Sequence, residues 1–354
     1  MNLTLRERLL ITLRGGRADR VPWNIYAWLL PQTEVGHALQ RQGLSLMGSS
    51  RILRAIQQEV TVHEERREVA GQTWFHLRLE TPVGTLTEEA TWEPSTNSRW
   101  IRKYLISNAE DYRAAEFVLR HTRFEPDDAP FLEADAAMGP HGIVIGEIMP
   151  IPIMQAMVAW LGAEGLTEGL YLYPDRFASF LDALTQHYRR QVELAAASPA
   201  EIIWFPDNVT ANIISPRLFE HYCAPNYAHA TAILRQAGKI PIAHYDGSIR
   251  PLLAHLARTE LPVIEAFTPP PMGDVTVAEA LAAWPQKVIW VNFPGCLFFE
   301  PAELIEAYAA ELLRQGAASG RLIIGCTEEF PVDAFEKTFT AIGRAWARQG
   351  AITP

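Results

Sequence analysis

Two kinds of hydrophobic pattern divide the chain. From residue 140 onward, short unbroken apolar runs (GIVIGEIM, EIIWFPD, KIPIAHYD, PVIEAF, KVIWVNF and RLIIGC) alternate with longer stretches of helical period. A strand covered on both faces has no reason to alternate, so these runs read as parallel strands of a βα repeat. The spacers agree. Ser215 and Pro216 supply a cap and a first-turn proline for a helix running towards Gly238, which Pro225 should kink. Glu300-Pro301 opens another, with Leu304, Ile305, Tyr308 and Leu312 as one apolar stripe before Gly316. Asp333 is placed to cap a last helix that buries Phe335, Phe339, Ile342 and Trp346. At the start, Thr4 and Glu7 form a capping box for a helix ending at Gly15-Gly16, and Val21 to Tyr26 is a short apolar strand. With an eighth strand around Leu44 to Met47, the pattern predicts an α/β fold, a (β/α)8 TIM barrel. A doubly wound sheet is the alternative, but no GxGxxG follows the first strand to support it.

Residues 59–106 obey a different rule. EVTVHEE, QTWFHLRLE, GTLTEEATWEP and SRWIRKYLI alternate, with Phe75, Leu77 and Leu79 on one face and His76, Arg78 and Glu80 on the other. Period two, broken at Pro82, Gly84 and Pro94, predicts half-buried strands of an antiparallel meander inserted into a single barrel domain spanning 1–354.

Composition narrows the function classes. Lys and Arg number 31 against 41 Asp and Glu, a formal charge of −10, and no basic stripe is available to neutralise phosphates, which argues against nucleic acid. Three cysteines, at 223, 296 and 326, form neither a CxxC pair nor a disulfide framework, so a reducing compartment is expected. The start MNLTLRERLL sets charges among its apolar positions, unlike a secretory signal, and the longest apolar stretch, Met149 to Gly162, is shorter than the ~20 residues that span a bilayer. These readings predict a cytoplasmic protein acting on a small molecule.

In a barrel the chemistry sits at the C-terminal ends of the strands. Asp207 and Asn208 end EIIWFPDN; His244 and Asp246 end KIPIAHYDG; Glu265 ends PVIEAF; Asn292 ends VIWVNF; Cys326 ends LIIGC, ahead of Thr327, Glu328 and Glu329; Glu147 lies near the end of GIVIGEIM. Each has a plain alternative. Asp246-Gly247 is a common turn pair, Cys326 a small hydrophobe, and His244 and Glu265 a mutually satisfied core pair. Taken together, His244, Asp246, Glu265 and Cys326 supply nitrogen, oxygen and sulfur donors for a metal ion. Zinc accepts all three, while two carboxylates admit manganese or iron.

The segments LRERLLITLRGGRADRVPW, TPVGTL, SPRLFEHYCAPNYAHATAILRQAGKIPIAHYDG and IIGCTEEFPVDAFEKTFTAI resemble the uroporphyrinogen decarboxylase superfamily along nearly the whole chain. The resemblance implies a TIM barrel and one of two chemistries: cofactor-free decarboxylation of uroporphyrinogen, or zinc-dependent methyl transfer between corrinoid proteins and thiols. The arginines that true decarboxylases carry after the first strand are absent from NIYAWLLPQ, and their aspartate motif has no match near residues 44–50. The methyltransferase branch is the nearer likeness. There His244 matches the histidine of a His-x-Cys ligand pair, Cys326 the later cysteine and Glu265 a glutamate found in some relatives, while Asp246 stands where the branch has cysteine. The expectation is therefore a metal-dependent methyltransferase, with Zn2+ or another divalent ion on His244, Asp246, Glu265 and Cys326. It would move a methyl group from a corrinoid-type or O-methyl donor to a thiol. Asp207, Asn208 and His244 are the catalytic candidates, a corrinoid carrier protein the candidate partner, and a homodimer the assembly that the resemblance suggests. The alternatives are a metal-free decarboxylase or lyase, in which Asp207 and His244 would handle protons, and a non-catalytic binding barrel.

Overall fold

The computed structural model describes residues 3–94, 98–330 and 332–352. The chain forms two compact units, one from residues 1–52, 128–147 and 195–354 and the other from 53–127 and 148–194.

The first unit is a closed barrel of eight parallel strands, each paired with the next in sequence and the last with the first. They are β1 (Trp23–Tyr26), β2 (Leu44–Arg51), β3 (Gly142–Glu147), β4 (Ile202–Val209), β5 (Ile240–Tyr245), β6 (Val263–Phe267), β7 (Val288–Asn292) and β8 (Leu322–Gly325). All eight runs expected from the apolar pattern are strands. β1, β6, β7 and β8 are buried along their whole length, as strands covered on both faces must be. Trp23 of β1 packs against Phe339 and Trp346, ring centroids 6.4 and 5.9 Å apart. Those residues belong to the last helix (Val332–Gln349), which buries Phe335 and Ile342 as well.

Local signals explain the helix ends. The Thr4–Glu7 capping box is formed ahead of Leu5–Leu13, and the Ser215 hydroxyl accepts from the amide of Leu218. The kink expected at Pro225 takes the form of a π-helical turn at Phe219–Cys223, immediately before the helix Ala224–Gln236. The wider turn accommodates a proline that cannot donate to the ladder. Two expectations are corrected. Asp333 lies within the first turn of its helix rather than at the cap. Leu304 is 55% exposed and leaves the stripe, which runs instead through Ile305, Ala309, Leu312 and Leu313.

The second unit carries the meander. Strands Thr61–Val69, Gln72–Thr81, Gly84–Glu93 and Ser98–Lys103 pair antiparallel in sequence order. A two-stranded ribbon, Leu53–Gln57 with Thr122–Pro126, lies in the same unit. One face of the meander buries Leu79, Leu86 and Ala90. The strand Thr61–Val69 was expected to be half-buried, yet all nine of its residues are exposed. It is an edge strand, and its run of charged side chains protects the open ladder from further pairing.

Among the described residues no helix is long and apolar enough to cross a membrane. Inside the barrel, Gly325 ends β8 where β7 comes closest: a Cβ there would lie 2.6 Å from Trp290 Nε1 and 2.9 Å from the Val291 carbonyl. Gly325→Ala is expected to cost about 1–3 kcal/mol by overpacking, read as a shift in the chemical-denaturation midpoint. An unchanged midpoint would show that β7 and β8 can move apart freely.

Candidate functional site

At the C-terminal end of the barrel, β6 departs from regular pairing. Its register with β7 slips between Ile264 and Phe267, and Ala266 takes a φ of 56°. A non-glycine residue in the left-handed region costs about 1–2 kcal/mol, and bulges of this sort re-aim a neighbouring side chain. The neighbour is Glu265, a carboxylate with no solvent exposure.

Three strands supply its partners. Tyr26, ending β1, donates its hydroxyl to Oε1 at 2.7 Å; Trp204 of β4 donates Nε1–H to Oε2 at 3.0 Å; His244 of β5 lies with Nδ1 2.8 Å from Oε2. A carboxylate accepts, so Nδ1 carries the proton and the neutral ring keeps a lone pair on Nε2. Among the described residues Nε2 has no hydrogen-bond partner, and 12% of the His244 side chain remains exposed. Burial by itself would lower the His244 pKa. The Glu265 charge and hydrogen bond, with smaller help from Asp246 and Asp207, more than offset it and raise the value above the ordinary 6.5. Tyr26 is pushed well up by burial and by Glu265, so it stays a donor.

The other predicted residues fall around this centre in two groups. Asp246, half-buried, accepts from the Thr268 hydroxyl at 2.6 Å. Asn292 receives the Thr327 amide on Oδ1 at 3.0 Å and donates Nδ2–H to Glu328 at 2.9 Å. Burial, and then the Asp246 charge, raise the Glu328 pKa. These groups link the ends of β5, β6, β7 and β8. Asp207 belongs to a separate arrangement: its fully buried carboxylate accepts from Tyr227, on the helix Ala224–Gln236, at 2.6 Å. Asn208 is exposed on the bulge that ends β4, at φ 53°, and Glu147 is exposed at the end of β3. Cys326 is buried, and burial pushes its thiol well above its ordinary pKa.

Of the expected metal ligands, both Glu265 oxygens accept from protein donors, Asp246 is held by Thr268, Cys326 is buried, and His244 keeps only Nε2 open. Among the described residues no three His, Cys, Asp or Glu side chains converge so as to hold a metal ion. As arranged, His244, Asp246, Glu265 and Cys326 do not fit a coordination shell.

Tyr26 and Thr268 were missed as functional groups. The strand-end rule that selected His244 would also have selected Tyr26, the last residue of the apolar run that forms β1.

The sequence model of one family, described as Uroporphyrinogen decarboxylase (URO-D), matches residues 137–344, more than half of the chain and six of the eight barrel strands. The chain belongs to the URO-D family. No curated protein matches the sequence. Among solved structures, a methyltransferase from Methanosarcina mazei aligns over 98% of this chain and 99% of its own at a TM-score of 0.58 and 14% identity. A putative vitamin-B12 independent methionine synthase from Listeria monocytogenes aligns over 62% and 69% at a TM-score of 0.42 and 14% identity. The first likeness places this URO-D family member on the same fold as that methyltransferase.

Tyr26→Phe removes the donor to Glu265 Oε1 while keeping the ring. An unpaired buried carboxylate oxygen should cost about 1–3 kcal/mol, measured by urea denaturation. No loss would mean that water reaches Glu265 and that the site is not sealed.

Proposed function

We propose that this URO-D family member is a methyltransferase-like enzyme in which the Glu265–His244 pair takes a proton from a thiol acceptor. The observation that carries the reading is the fully buried carboxylate fixing the Nδ1–H tautomer, so that the second ring nitrogen has no partner among the described residues. This is the geometry of a general base oriented by a carboxylate. His244 Nε2 removes the S–H proton, and the imidazolium so formed is stabilised by Glu265. The thiolate attacks a methyl carbon, and the bond from that carbon to its carrier breaks with the electron pair going to the carrier. The carrier is a corrinoid or a small methylated molecule.

The mouth also suits this reading better than polyanion decarboxylation. After β1 the segment Ala27 to Leu30 carries no arginine, and none of Asp246, Glu265 and Glu328 pairs with an arginine or lysine among the described residues. Uncompensated carboxylates repel a polycarboxylate substrate.

The test supplies CD3-labelled donors, namely methylcobalamin, aryl methyl ethers and methylated onium compounds, together with a thiol, and detects the labelled thioether by mass spectrometry. His244→Ala should lower the rate by about 10²–10⁴-fold, and a chelator should leave the wild-type rate unchanged. Because the base must be neutral, activity should fall as the pH drops through a His244 pKa lying above 6.5. Glu265→Gln removes the charge that raises it and should move this limb to lower pH. Carbon dioxide release without methyl transfer, or stoichiometric metal whose removal abolishes activity, would contradict the reading.

A further inference from the structure

An indole stands exposed at the rim of the barrel. Trp28 lies in the short turn Ala27–Leu29 after β1 and is 53% exposed, yet its ring packs on Tyr26 with centroids 4.5 Å apart. Tyr26 lies 6.2 Å from Trp204, which in turn stands 5.9 Å from the His244 ring. A continuous series of aromatic contacts therefore runs from the exposed Trp28 to the imidazole, whose Nε2 has no hydrogen-bond partner among the described residues. Alongside it stand three carboxylates that have no arginine or lysine partner among the described residues: Glu265, hydrogen-bonded to both Tyr26 and His244; Asp246, two residues beyond His244; and Glu328, joined to Asp246 through Asn292 and Thr268.

Aromatic faces and uncompensated carboxylates attract the same chemistry. A ring binds a cation lying within about 6 Å of its centroid, most favourably when that cation is large and weakly hydrated. Carboxylates held by neutral donors rather than by arginine or lysine add a negative potential. An ordinary ammonium would also be attracted by the acids, but quaternary onium groups gain most from the rings, because their methyl surface is both apolar and partly positive. A neutral methyl ether gains from the rings alone, and an anion is repelled.

We infer that the mouth formed by Trp28, Tyr26 and Trp204 beside Asp246 and Glu328 binds a small quaternary ammonium or sulfonium ion. Resting on the methyl-transfer reading, this names the donor class. The thiol gives its proton to His244; the thiolate pair forms the new S–C bond; the C–N or C–S bond breaks with its electron pair moving onto nitrogen or sulfur. A neutral amine or sulfide leaves, and the onium charge is neutralised.

The experiment is calorimetric titration of the full chain with choline, tetramethylammonium and trimethylsulfonium, with 3,3-dimethylbutan-1-ol as the uncharged isostere of choline. Choline should bind at least about tenfold more tightly than the isostere, and its affinity should weaken as salt is raised. Trp28→Leu, at an exposed position, should weaken choline about three- to tenfold while leaving the circular dichroism spectrum unchanged. Glu328→Gln should weaken choline but not the isostere. Equal affinity for choline and its isostere, no onium binding, or an unaltered affinity in Trp28→Leu would overturn the proposal. Because binding is read without turnover, the two readings fail separately. Onium affinity without labelled thioether contradicts methyl transfer alone, and labelled thioether from neutral donors without onium affinity contradicts the onium site alone.

Discussion

A fully buried carboxylate must find its donors inside the protein, and Glu265 finds them on three other strands of the barrel. Removing a charge from water is expensive unless hydrogen bonds replace the lost hydration. That single requirement accounts for the bulge that turns Glu265, the left-handed Ala266 beside it, and the inward placement of Tyr26, Trp204 and His244. It also ties β1, β4, β5 and β6 together at one end, so the barrel's closure and the orientation of the imidazole rest on the same contacts.

The same arrangement distributes charge unevenly. Glu265 is satisfied by two neutral donors and one histidine, Asp246 by a hydroxyl, and Glu328 by an amide. Hydrogen bonds of this kind stabilise carboxylates without cancelling their field. The mouth consequently keeps a negative potential, and His244 keeps its proton to a higher pH than a solvated imidazole would. Both properties favour a partner that is positively charged or that has a proton to give up, and both follow from carboxylates that no arginine or lysine pairs with among the described residues.

The barrel was legible because burial on both faces leaves an unmistakable unbroken apolar run, and the meander because half-exposed strands alternate. Where the reading failed, a neighbour overrode the local pattern. Thr61–Val69 alternates but lies at a sheet edge, and Leu304 fits a helical stripe yet meets no covering element. The site was legible only to the level of strand ends. His244, Glu265 and Asp246 do gather there, but facing cannot be read through a bulge: the irregularity in β4 leaves Asp207 against Tyr227 and Asn208 exposed. Spacing also cannot reveal which donors a buried carboxylate has already taken, and this decides whether the nitrogen, oxygen and sulfur groups are free to meet an ion.

The central claim is that Glu265 holds His244 as its Nδ1–H tautomer and raises its pKa. The most direct measurement is 15N spectroscopy of protein labelled on its histidine rings, with the His244 signals assigned by their loss in His244→Gln. The account predicts Nδ1 protonated in the neutral ring, a titration midpoint above 6.5, and a fall in that midpoint in Glu265→Gln. An Nε2–H tautomer, or a midpoint below 6.5 that ignores the Glu265 substitution, would contradict it.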